Sequence, residues 1–167
     1  MNIAIFSDKF SGTLSATEVL NIVQDKFLDS NIDADFFSVT DGGQESTEIF
    51  KSYNFQTHDN FETLNSDNEL SAVESLNINE SIFFESAQLI GIDSEKKSMS
   101  INSGCLLDAL QKIEVLGTGG SKTVDFGIGL LSRLGMEFIS NSETIVNPVP
   151  EDFSYIDQIK ATNFKSN

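Results

Sequence analysis

Apolar positions along this chain follow two rhythms that replace each other in turn. Residues 2–6 form a short apolar run, the pattern of a buried strand. From Ala16 the spacing becomes helical. Val19, Leu20, Val23 and Phe27 fall on one stripe of a period of about 3.6 residues, which predicts a helix over residues 16–28 packed on a sheet. Its start is marked by Ser15-Ala16-Thr17-Glu18, a capping box in which Ser15 caps the first turn and Glu18 reaches back. Residues 32–39 predict a second strand, and Thr40-Asp41-Gly42-Gly43 leads into a helix over residues 45–53.

Residues 54–79 are polar and Asn-rich with weak periodicity, so short strands and loops are expected there, together with the one weak break in the chain. Residues 81–84 resume as a buried strand ending in Glu85-Ser86-Ala87. A helix is expected over 105–113 with Leu106, Leu107 and Leu110 inward, then a short strand over 114–116, a helix over 123–134 and a strand over 136–140. The tail from residue 141 holds Pro148 and Pro150 and predicts no final core element. Strand and helix signals alternate, which argues for an α/β fold with a parallel or mixed sheet and flanking helices, a Rossmann-like layer. No repeat or Pro- or Ser-rich linker divides residues 1–167.

Composition narrows the partners. The formal charge of −16 repels nucleic-acid phosphates and anionic membrane surfaces, so neither is an expected partner. A phosphorylated small molecule is still compatible, because a few backbone amides and one lysine make a local anion site inside an acidic protein. The single cysteine, Cys105, excludes an internal disulfide, and the N-terminus shows neither a basic start nor a long apolar stretch; a cytoplasmic location is expected. Cys105 among leucines reads as a small buried residue, and His58, in the least regular region, as a surface histidine.

The candidate chemistry centres on Gly117-Thr118-Gly119-Gly120-Ser121, expected between a strand and a helix, where backbone amides point at an anion. A dinucleotide G-x-G-x-x-G would need glycine at Lys122, and a P-loop would need four residues between its glycines; neither fits, which counts against an oxidoreductase. Gly119 and Gly120 allow close approach, Ser121 and Thr123 offer hydroxyls, and Lys122 adds charge. A tight strand-to-helix turn explains the same glycines without a ligand.

Gly119-Gly120-Ser121-Lys122-Thr123-Val124-Asp125-Phe126-Gly127-Ile128-Gly129 resembles the glycine-rich signature of the type I glycerate kinases. Three further segments match that family in order. Asp8-Lys9-Phe10-Ser11-Gly12-Thr13-Leu14-Ser15-Ala16 resembles its N-terminal loop, Thr40-Asp41-Gly42-Gly43 its Ala-Asp-Gly-Gly, and Glu85-Ser86-Ala87 with Gly91 its Glu-Ser/Met-Ala segment. Several positions depart from the pattern: Ser11 replaces a lysine, Gln44 a carboxylate, Glu45 a glycine, Phe126 a common glycine, and Leu106 a second glycine after Ser103-Gly104. Val124 stands where asparagine is common.

The resemblance implies ATP-dependent transfer of the γ-phosphoryl group to a hydroxyl of D-glycerate, with ATP and Mg²⁺ as cofactors. Residues Gly119, Gly120, Ser121, Lys122 and Thr123 would cradle phosphate; Asp41, Asp8 and Lys9 are the catalytic candidates; Asp125 and Asp41 would serve magnesium; Glu85 and Ser86 would contact substrate. Helix capping is the plain alternative for Asp8 and Asp41, a solvated surface lysine for Lys9, and a helix cap for Glu85. Family members are roughly twice this long, with two domains and a cleft between them. The chain is therefore expected to be an N-terminal part, partnered by the C-terminal half or a second copy. An inactive binding or regulatory relative is the second reading.

Overall fold

The computed structural model describes residues 3–10, 12–92 and 94–161. Strand β1 (Ala4–Ser7) pairs in parallel with β2 (Asp35–Ser38), Ile5 against Phe36 and Phe6 against Phe37. Helix α1 (Ala16–Asp29) connects them, and its Phe27 meets Phe36 edge-on at 5.7 Å. The capping box forms as the sequence predicts: the Glu18 N–H donates to Ser15 Oγ at 3.2 Å, and the Ser15 N–H to Glu18 Oε2 at 2.8 Å. Helix α2 (Ser46–Ser52) follows the Asp-Gly-Gly loop.

Residues 54–79 differ from expectation. Instead of short strands and loops they form a long antiparallel hairpin, β3 (Gln56–Leu64) and β4 (Leu70–Ile78), which continues through β5 (Ser81–Glu85) to β6 (Val115–Gly117). Alternation was hard to read because β3 lies almost wholly exposed at the sheet edge and carries a register shift between Thr57 and Asp59. β5 and β6 run parallel, so the sheet is mixed. Its core joins Val73 and Phe84 to Leu89 and Ile90 of α3 (Ala87–Ile90), and to Leu106 and Ala109.

The helix expected over 105–113 is a 3₁₀ turn, Ser103–Leu106, running into a single turn α4 (Leu107–Leu110). Asn102 starts it early by accepting the Gly104 N–H at 2.9 Å. The helix expected from residue 123 begins only at α5 (Ile128–Arg133). Gly127, at φ 78°, cannot belong to a right-handed helix, and Asp125 draws the Gly127 and Gly129 N–H groups onto its carboxylate at 3.0 and 3.1 Å. The glycine loop therefore does not sit at a helix N-terminus. The tail also holds more order than expected: β7 (Glu137–Ser140) pairs with β8 (Glu143–Thr144) and β9 (Gln158–Lys160), a 3₁₀ turn spans Pro150–Tyr155, and Pro148 is fully buried. Among the described residues no helix is long and apolar enough to cross a membrane.

Candidate functional site

Two glycine-containing loops leave strands of two different sheets and lock together. The Asp41-Gly42-Gly43-Gln44 loop follows β2, and residues 118–121 follow β6. They meet backbone to backbone. A Cβ on Gly43 would lie 2.6 Å from Gly119 Cα and O, and one on Gly119 would lie 2.6 Å from Asp41 Oδ1. A Cβ on Gly117 would collide with the Gly42 carbonyl oxygen. These glycines are thus required by each other, whatever else approaches them.

That packing collects polar groups from three segments. Asp41 Oδ1 accepts the Gly43 N–H at 2.8 Å and lies 3.4 Å from Lys9 Nζ, which also donates to the Gln44 carbonyl at 3.0 Å. The Lys9 side chain is 13% exposed and that of Asp41 55%, so the lysine is tucked in beneath an open carboxylate. Asp41 lies below its ordinary value: the Gly43 N–H is the largest cause, partial burial opposes it, and Lys9 adds a further lowering. Asp8 receives the Lys9 N–H at 2.7 Å and so shapes the first loop. A cleft of about 280 Å³ opens between these segments, lined by Lys9, Thr13, Gln44 and Ile92 among others. Ser11, where a lysine was missed, lies outside the described residues.

Glu85 and Ser86 end β5 beside the same loops. Glu85 is buried, and its Oε2 accepts both the N–H and the hydroxyl of Thr47 at 3.0 Å. Burial pushes its carboxyl up; the two Thr47 donors and the charge of Lys9 offset this only in part. Thr47 was not singled out from the sequence, since a threonine in the first turn of a short helix carries no distinctive pattern. The Ser86 N–H donates to the Gly117 carbonyl at 2.9 Å, and the Ser86 and Ser121 hydroxyls lie 3.1 Å apart.

Residues 122–125 are committed elsewhere. Lys122 Nζ donates to the Ser94 carbonyl, and Thr123 Oγ1 to the Ile101 carbonyl at 2.8 Å. Asp125 is buried, with Oδ2 accepting the Ser103 N–H at 2.7 Å, the Ser103 hydroxyl at 2.8 Å and the Gly129 N–H, while Oδ1 takes the Gly127 N–H. Lys9, Asp41, Gly119, Gly120, Ser121, Glu85 and Ser86 are therefore brought together; the side chains of Lys122, Thr123 and Asp125 brace the loop from behind.

The donor set fits a phosphate. Among the described residues the N–H groups of Gly119 and Gly120 have no protein acceptor, and Ser121 Oγ and Lys9 Nζ stand on the neighbouring loop segments. No group of three His, Cys, Asp or Glu is arranged to hold a metal among the described residues. A magnesium ion would accordingly rely on one carboxylate, Asp41, with phosphate and water completing its shell, the usual habit of this ion at nucleotides.

No curated protein sequence matches the chain. Among solved structures, one described as "putative glycerate kinase 2" from Salmonella typhimurium LT2 superposes with a TM-score of 0.63 at 19% identity, which establishes a shared fold. The match takes in 98% of this chain and 48% of that one, so the chain spans about half the length of its solved relative. The Glycerate kinase family matches over residues 3–167, and the chain belongs to that family.

Proposed function

We propose that the chain carries the phosphate-handling site of a cytoplasmic ATP-dependent glycerate kinase, which phosphorylates a hydroxyl of D-glycerate. The observation that carries this reading is the convergence of Lys9, Asp41 and the acceptor-free Gly119 and Gly120 amides where the two glycine loops interlock. Phosphoryl transfer asks little covalent chemistry of a protein and depends on positioning and charge neutralisation. A magnesium ion, held by Asp41, would supply positive charge to the phosphate.

This chain's residues divide the remaining work. The Gly119 and Gly120 N–H groups donate to phosphate oxygens, beside the Ser121 hydroxyl, which holds the loop by donating to the Thr118 carbonyl at 3.1 Å. Lys9, held by Asp41 and the Gln44 carbonyl, places one positive charge at a fixed point. Asp41 is held ionised by the Gly43 N–H, which suits a cation-holding role and makes it a weak proton acceptor. Glu85, buried and held by the Thr47 N–H and hydroxyl, fixes the end of β5 on the substrate side. Ser86 lies alongside it to orient the substrate. Asp8 shapes the first loop, and Asp125, its oxygens filled by four protein donors, orients the second.

The test is a calorimetric titration of the purified chain with MgATP, followed by D-glycerate and measurement of phosphoglycerate. Saturable MgATP binding that weakens at least tenfold in Asp41→Asn is expected. A chain that binds no nucleotide removes the reading.

A further inference from the structure

A second cleft, of about 360 Å³, opens where four segments meet: the turn of the β3–β4 hairpin, residues 96–105, the end of α5 and the tail at residues 147–149. Its charge runs against that of the chain. The sequence carries 26 acidic residues against 10 basic ones, yet among the described residues lining this cleft are Lys96 and Arg133 and no carboxylate. Three carboxylates meet the lining residues without lining the cleft themselves. Asp67 lies 3.9 Å from Lys96 Nζ, Asp108 lies 3.1 Å from Arg133 Nη2, and Glu151 accepts the Ser100 hydroxyl at 2.9 Å. The cleft shares no residue with the one beside Lys9 and Gln44.

Donors here exceed the acceptors the protein offers. A guanidinium has five N–H groups. Arg133 gives one to the Gly104 carbonyl at 2.9 Å and one to Asp108, which leaves three. Lys96 Nζ donates to the Ser66 carbonyl at 2.6 Å, and Asp67 stands beyond hydrogen-bond reach of it. The side-chain amides of Asn68 and Asn147 have no hydrogen-bond partner among the described residues. A planar guanidinium matches a carboxylate or phosphate edge, and amides that both donate and accept suit hydroxyl groups. The volume is that of a small-molecule site.

We propose that this cleft binds a small hydroxylated anion, with its carboxylate or phosphate group on Arg133 and Lys96 and its hydroxyls toward Asn68, Asn102 and Asn147. The occupant sits against the segment that braces the glycine loop. Ser100, Asn102 and Gly104 line the cleft. Between them, the Ile101 carbonyl accepts the Thr123 hydroxyl at 2.8 Å, and Ser103 gives its N–H and hydroxyl to Asp125. An anion that stiffens residues 100–104 therefore stiffens the loop, and MgATP affinity rises with it. This coupling rests on the phosphate reading of the glycine loop; the anion site does not.

The test is an amide NMR titration of the labelled chain with malate and, separately, with glycerol 3-phosphate, which tells a carboxylate site from a phosphoester site. Saturable shifts at residues 66–68, 96–104 and 147 are expected with at least one of the two. Asn147→Asp adds a negative charge at a position whose φ of 53° suits aspartate as well as asparagine, and is expected to weaken binding at least tenfold. Arg133→Gln should do the same. No saturable shift with either anion, shifts confined to residues 41–44 and 117–121, or equal affinity in Asn147→Asp overturns the proposal. Should Arg133→Gln fail to fold, Asn147→Asp decides alone. With the anion saturating, MgATP is expected to bind at least threefold more tightly. Unchanged MgATP affinity overturns the coupling alone, and a chain that binds no MgATP removes the phosphate reading while the anion shifts still decide this site.

Discussion

Gly43 and Gly119 touch through their backbones, so closely that a methyl group on Gly43 would lie 2.6 Å from Gly119 Cα and O. The contact fixes Asp41 over the glycine loop and is the mechanical centre of the site. Gly43→Ala is expected to cost about 1–3 kcal/mol of stability, the range for forcing atoms into a packed place, and to weaken MgATP binding with it. Gly12→Ala is the comparison: a Cβ there meets nothing within 4 Å, so only its φ of +77° opposes the change. Its cost is expected to be about 1 kcal/mol. Urea unfolding of both variants measures the difference.

Two positions where the sequence resemblance leads one to expect glycine hold other residues in left-handed backbone: Glu45 at φ 75° and Phe126 at φ 51°. Each side chain is held where glycine fits with less strain. Glu45→Gly is expected to raise stability by about 1 kcal/mol. Phe126→Gly relieves similar strain and removes a 90% exposed ring, but forfeits the contact with Phe153 at 6.0 Å. It should therefore gain less. Thermal unfolding of the two variants ranks them.

Asp125 distinguishes a brace from a metal ligand. Asp125→Ala leaves the Ser103 and Gly129 N–H groups without an acceptor inside the protein, and a loss of about 3 kcal/mol is expected. The loss should be equal in magnesium and in EDTA. A metal ligand would instead show its effect only where magnesium is present.

Glu85 gives a pH signature with a defined sign. Its folded carboxyl lies above the ordinary value of 4.5, so the folded state holds a proton that the unfolded state releases first. The stabilising contribution of the protonated form is present below about 4.5 and is lost as pH rises from there through the raised folded value. Glu85→Gln keeps an oxygen for the Thr47 donors and removes the titration. The melting temperature of the variant, relative to the parent, should rise between pH 4 and pH 7.

Much of the site was legible because short motifs carry their own backbone demands. The capping box at Ser15 and Glu18 states where α1 begins, and Asp41-Gly42-Gly43 and Gly119-Gly120 announce tight loops. What the spacing does not reveal is that the glycines serve one another, since that depends on how loops from two separate sheets meet. Lys122 and Thr123 looked like ligands from their place in the motif; α5 begins only after Gly127, and their side chains are drawn to Ser94 and Ile101. The β3–β4 hairpin was hidden by its exposed polar edge strand.

The most direct measurement of the central claim, that phosphate is held where Lys9 and Asp41 meet the glycine loop, is a MgATP titration of the parent beside Lys9→Ala and Lys112→Ala. Lys112 stacks over Phe61, away from these loops, and serves as the charge-matched control. Binding weakened at least tenfold by Lys9→Ala and unchanged by Lys112→Ala is the predicted result. Equal affinity in all three proteins would contradict it.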